Sequence, residues 1–110
     1  MPHSGAYELK STRERSLPFA ALATHQRHAL RQAKQGVLVY KIPDSGFQNP
    51  FDCFTLAQVP AFVVVFFYTH GKKEFVMIDI DAWIAEDESS TRRSLTEERA
   101  KEIGTTYSLG

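Results

Sequence analysis

Apolar and polar residues alternate at the head of the chain. Over 5–11, Ala6, Glu8 and Lys10 fall on one side of an extended segment and Tyr7 and Leu9 on the other, which predicts a short first strand. A polar, Arg-rich turn occupies 12–16. Ser16-Leu17-Pro18 then reads as a helix start, with Pro18 in the first turn where its missing N–H costs nothing. Gly36 is a good stop, so the predicted helix ends near Gln35. At about 100° per residue, Phe19, Leu22, Ala29, Leu30 and Ala33 share one stripe of that helix, and Gln26 falls near its middle. An unpaired buried amide costs roughly 1 to 3 kcal/mol, so Gln26 calls for a polar partner on the sheet below: a backbone edge, or Glu8 and Lys10. His25 lies at the flank of the stripe and reads as a surface or half-buried residue.

Beyond the helix the pattern turns to strands. Residues 37–42 are β-branched, Pro43-Asp44-Ser45-Gly46 has turn composition, and 51–56 form a further strand with Asp52, Phe54 and Leu56 on one face. An acid among Phe and Leu is expensive unless it is solvated or paired, which singles out Asp52. Asp44 competes with it, although a turn alone would explain Asp44. The longest apolar run, 61–68, suits a strand buried on both faces, and 74–80 pairs back on it as a hairpin. Asp81 is read as capping a short helix with Trp83 and Ile84, 86–90 as a linker, and Ser94-Leu95-Thr96-Glu97 as a capping box opening a last helix that ends at Gly104. Together these elements predict one α/β domain: a mixed sheet of about five strands, one long helix and shorter C-terminal helices. The core spans 5–85, and 91–110 form the C-terminal helix and tail.

With 110 residues the chain supports a single core. No run is long enough to span a bilayer and no signal peptide is recognisable, so a cytoplasmic protein with no membrane partner is expected. Cys53 is the only cysteine, which rules out a disulfide framework and a cysteine zinc site. The net charge is zero, but it is unevenly distributed. Residues 1–41 carry seven Lys or Arg against Glu8 and Glu14, whereas 42–110 carry six against eleven acids. The basic half holds Arg13, Arg15, Arg27, Arg31, Lys34 and Lys41, each able to contact phosphate, as are Arg92 and Arg93 near the C-terminus; a solvated surface would look the same.

Glu8 and Lys10 place a carboxylate and an ammonium on one strand face. A carboxylate holds a hard cation through oxygen, and a neighbouring amine orients a water for attack on phosphorus, but a salt-bridged strand edge has the same two residues. The order Glu8-Leu9-Lys10, Ser16-Leu17-Pro18-Phe19 and His25-Gln26 resembles the PD-(D/E)xK nuclease superfamily, and within it the RecU-type Holliday junction resolvases. The match is detailed over 5–39 and looser through 61–80. In the usual pattern the metal-binding Asp precedes the Glu-x-Lys strand; here no acid precedes Glu8, and 40–56 looks like an inserted hairpin that supplies Asp52 from the other side. The helix glutamate of many relatives has no counterpart.

The resemblance implies a restriction-endonuclease-like core and a Mg²⁺- or Mn²⁺-dependent endonuclease acting on branched or duplex DNA. Glu8, Asp52 and the Leu9 carbonyl would hold the metal, Lys10 would activate water, and Gln26 would assist from the helix. Arg13, Arg15, Arg27, Arg31, Lys41 and the neighbouring Tyr40 would contact DNA. A homodimer and a phage or mobile-element origin go with this reading. The alternatives are a non-catalytic nucleic-acid-binding or nuclease-modulating protein that keeps the fold, and an interaction module in which Glu8 and Lys10 are a structural ion pair.

Overall fold

A computed structural model describes residues 5–36, 58–68 and 73–108, together with the backbone of 38–41 and 52–55. Its central element is the apolar run. Ala61–Phe67 (β5) lies in the middle of the sheet, flanked on one side by a parallel Ala6–Thr12 (β1) and on the other by an antiparallel Glu74–Asp79 (β6), to which Thr105–Ser108 (β8) adds as an edge. A parallel pair needs a crossover, and Thr24–Gln35 (α1) supplies it. Within that crossover Leu38–Lys41 (β3) and Asp52–Thr55 (β4) form an antiparallel ribbon of their own, Lys41 opposite Asp52. The turn at 43–46, with Asp44, lies outside the described residues.

The mixed sheet and the α/β class are as read from the sequence. The strands divide into four in the main sheet and two pairs in ribbons.

β5 is apolar on both faces because both are used. Val63, Val65 and Phe67 point toward the helices and join Leu30, Val76, Ile78, Ile80 and Trp83 in the main core. Phe62, Val64 and Phe66 point the other way, toward Tyr7, Phe75, Met77 and Tyr107. Leu9 and Tyr68 remain more than half exposed.

Pro18 does not start a helix. Ser16–Pro18 is a short strand (β2) paired with Ser94–Thr96 (β7), placing Leu17 opposite Leu95 with both side chains buried. The Phe19 N–H, which a helix would leave free in its first turn, donates to the Arg93 carbonyl at 3.0 Å. A single 3₁₀ turn, Phe19–Ala21, follows, and the backbone stays extended at Leu22 and Ala23 before α1 begins at Thr24. Phe19 and Leu22 thus reach the core one at a time from irregular backbone. The expected helical stripe is correspondingly short: Leu30 is buried, Ala33 is intermediate and Ala29 is exposed.

The C-terminal third also differs from the sequence expectation. The cap of Ile80–Ser89 (α2) is Asp79, not Asp81: its carboxylate accepts from the Asp81 N–H at 2.9 Å. The helix runs straight through the acidic residues read as linker. Polar side chains are compatible with a helix that buries Ile80 and Trp83 and packs Ala82 and Ile84 against the core, all in its first half. Thr96, rather than Ser94, caps Glu97–Ile103 (α3), because the β7 strand runs on to Thr96, whose hydroxyl accepts from the Arg99 N–H at 3.1 Å. Gly104 ends α3 as expected, and the reason is space: a methyl there would meet the Met77 carbonyl at 2.6 Å.

Ion pairs tie the helices down. Lys34 bridges Asp79 (2.7 Å) and Asp81, linking α1 to α2. Hydrogen bonds to Asp79 first and Asp81 second hold its ammonium above the usual lysine range, against a smaller opposing effect of burial. A raised lysine stabilises the fold fully below the ordinary lysine pKa, so this bridge is intact at neutral pH and is lost only as pH rises through the elevated value. Lys101 is raised in the same way by Glu74, and the Arg99 guanidinium is raised by Glu86 and Glu102.

Candidate active site

The inner face of β1 changes character along its length. Ala6 packs on the core, while Glu8 and Lys10, two and four residues on, reach the open margin of the sheet where α1 starts. Their side chains are partly exposed, Glu8 32% and Lys10 19%, and Lys10 Nζ lies 3.7 Å from Glu8 Oε1.

Gln26 joins them from α1. Its Nε2 donates to Glu8 Oε1 at 2.8 Å, and its Oε1 accepts from the Ala23 N–H at 3.0 Å. Ala23 is the N-cap and has no side-chain oxygen, so Gln26, three residues on, provides the returning half of a capping box. Both ends of the amide are therefore used. This answers the question of Gln26's partner, and the answer is a carboxylate on the sheet rather than a backbone edge.

Substitutions at Gln26 separate its two bonds. Gln26→Met removes both, and we expect a loss of about 1–3 kcal/mol in a denaturant titration. Gln26→Glu keeps an oxygen for the Ala23 N–H but sets a second carboxylate against Glu8. Its penalty should appear in the same denaturant titration at neutral pH, as the two like charges repel.

The described hydrogen bond to Glu8 and its ion pair with Lys10 both fall on Oε1, and the carboxylate remains partly open to solvent. Glu8 therefore fits as one oxygen ligand of a hard cation, a role for which Mg²⁺ uses one or two carboxylates and leaves the rest to water and phosphate. Among the described residues no group of three His, Cys, Asp or Glu side chains gathers here. The Asp52 side chain lies outside the description. Its backbone is at the Lys41 end of the β3–β4 ribbon, which shares no ladder with β1.

The predicted phosphate contacts separate into two kinds. Arg27 is not a free cation: its Nη2 holds Asp87 Oδ2 at 2.8 Å. Lys34 is likewise paired. Arg13 and Arg15 are exposed in the turn after β1, and Arg13 lines a depression of about 480 Å³ with Ser11, Thr12 and Tyr68 at the end of the strand that carries Glu8 and Lys10. Arg31 and His25 are exposed on α1, and the side chains of Tyr40 and Lys41 are outside the description. The Arg27–Asp87 pair was not legible beforehand, because sixty residues separate its members.

No helix among the described residues is long and apolar enough to cross a membrane. No family model, curated protein or solved structure matches the chain.

Proposed function

We propose that the protein is a metal-dependent DNA endonuclease, with Glu8, Lys10 and Gln26 at its centre. The observation that carries this reading is the hydrogen bond from Gln26 to Glu8 with Lys10 on the same strand face. It joins an acid and an amine from β1 with an amide from α1 at one solvent-open margin, a grouping that phosphodiester hydrolysis can use. The Asp52 carboxylate, from the β3–β4 ribbon, is assigned as the second acid, and the Leu9 carbonyl as a further oxygen.

A bound Mg²⁺ or Mn²⁺ would polarise the phosphoryl group and lower the pKa of an attacking water. Gln26 fixes the rotamer of Glu8 by holding one of its oxygens. Lys10 supplies a positive charge beside the reacting phosphate and can orient the water for in-line attack. Arg13 and Arg15, just beyond the strand, meet the flanking backbone. The resolvase-like form of this reading, with symmetric cuts in two strands of a branched substrate, entails a homodimer.

One observation favours a second reading. Gln26 also caps α1, so its contact with Glu8 has a structural use whether or not the centre cuts DNA. The alternative is a non-catalytic nucleic-acid-binding or nuclease-modulating protein. Nicking of branched and linear DNA in Mg²⁺, Mn²⁺ or EDTA, by the wild type and by Lys10→Met, distinguishes the two. We expect metal-dependent cleavage that falls at least a hundredfold in Lys10→Met, within the usual range for loss of a proton-transfer group. DNA binding without cleavage in any metal would instead establish the non-catalytic reading.

A further inference from the structure

Three cations around the helices are matched by acids. Lys34 takes Asp79 and Asp81, Arg99 takes Glu86 and Glu102, and Lys101 takes Glu74 and Glu97. Arg92 and Arg93 break the pattern: they are exposed, consecutive, and have no acidic partner among the described residues. They line a cleft of about 810 Å³ between the start of α1 and the connection from α2 to β7. Arg27 lines it too, and although Nη2 is held by Asp87, its Nε is buried with no hydrogen-bond partner among the described residues. Three guanidinium groups thus share a cleft with one carboxylate, leaving an excess of two positive charges. The Thr24, Ser90 and Thr91 side chains bring hydroxyl groups to the same walls.

We propose that this cleft binds the sugar-phosphate backbone of a polynucleotide. A phosphodiester would offset the unmatched charge, and Arg92 and Arg93 present the planar donors suited to its oxygens. Ala20 adds exposed carbon surface beside a wall closed by the buried Phe19 and Leu22, which suits the sugars between phosphates better than a bare inorganic anion. Position supports the assignment. Ala23 lines the cleft and donates its N–H to Gln26, whose other end holds Glu8, so the cleft and the candidate active site share one hydrogen-bonded chain. The inference rests on the reading that the partner is a nucleic acid, and it names where flanking phosphates lie.

The test is anisotropy of a short labelled DNA duplex in EDTA over a series of salt concentrations. It compares the wild type, Arg92→Ala/Arg93→Ala, and Arg99→Ala as a control with a matched charge. Both cleft side chains are exposed, and the bond from Phe19 to Arg93 uses the Arg93 backbone carbonyl, so the double variant keeps its fold.

We expect the slope of log affinity against log salt to fall by about two, with binding roughly fiftyfold weaker near 0.1 M salt, while Arg99→Ala binds as the wild type does. An unchanged slope and affinity in the double variant would overturn the proposal. Displacement of the duplex by inorganic phosphate at matched ionic strength would also overturn it, making the cleft a free-anion pocket. The nuclease reading fails separately: loss of binding in the double variant with no cleavage by the wild type removes that reading and leaves the cleft. Metal-dependent cleavage by the wild type with normal binding by the double variant does the reverse.

Discussion

Glu8→Gln is expected to abolish metal-dependent DNA cleavage, by at least a hundredfold, while leaving the fold and DNA binding in place. The replacement is isosteric and keeps a carbonyl oxygen where Gln26 Nε2 donates at 2.8 Å, so the α1 contact survives. It removes the negative charge. A neutral amide is a far poorer ligand for a hard cation, and Lys10 loses the carboxylate now 3.7 Å from its ammonium. Removing an acidic group from a site that meets phosphates should leave DNA affinity equal or slightly higher. Cleavage and binding measured on the same variant therefore move apart. If instead cleavage persists, Glu8 is not a metal ligand; if binding and thermal stability collapse together, Glu8 and Lys10 are a structural pair.

The largest stability effect is expected at Trp83. Its side chain is fully buried and packs edge-on against Phe19, with ring centroids 5.4 Å apart at 74°. Phe19 enters from the irregular segment before α1 and Trp83 from α2, so this contact joins two elements far apart in the chain. Trp83→Ala should cost about 3–5 kcal/mol, a large share of the roughly 5–15 kcal/mol that holds a typical domain together. The indole Nε1 is buried without a hydrogen-bond partner among the described residues. Trp83→Phe therefore removes an unsatisfied donor as well as ring volume, and the two effects offset. We expect it to lie within about 1 kcal/mol of the wild type in urea melts followed by circular dichroism. Equal losses for Ala and Phe would show that the indole N–H has a partner that matters.

Where the sequence was legible, local pattern and tertiary demand agreed. The alternation at 5–11 and the run at 61–68 each had enough apolar character to fix a strand, and Gly104 marked a helix end because a side chain does not fit there. Pro18 misled because its fixed φ suits an extended segment as well as a helical first turn, and pairing of Leu17 with Leu95 decided for the former. That pairing joins residues 78 positions apart, and no local rule reports it. The start of α1 was hidden because its N-cap is alanine; the usable signal was Gln26, which supplies the capping oxygen from N3. The acidic stretch at the end of α2 read as linker because the helix's apolar anchors, Ile80, Trp83 and Ile84, all precede it.

The candidate site was legible to the same degree. Glu8, Lys10 and Gln26 were separable from the background because strand alternation put two of them on one face and helix periodicity put the third where an amide needs a partner. Lys34 and Arg27 were not distinguishable from free surface cations, since Asp81 and Asp87 of α2, and Asp79 at its cap, are placed against α1 only by the fold.

Titration calorimetry of Mn²⁺ into the wild type and into Asp52→Ala, each shown to be folded, bears most directly on the proposed metal centre. A saturable heat is expected in the wild type and its disappearance in the variant, because Glu8 alone leaves the cation with a single carboxylate. No binding heat in the wild type at millimolar Mn²⁺ would contradict the proposed centre.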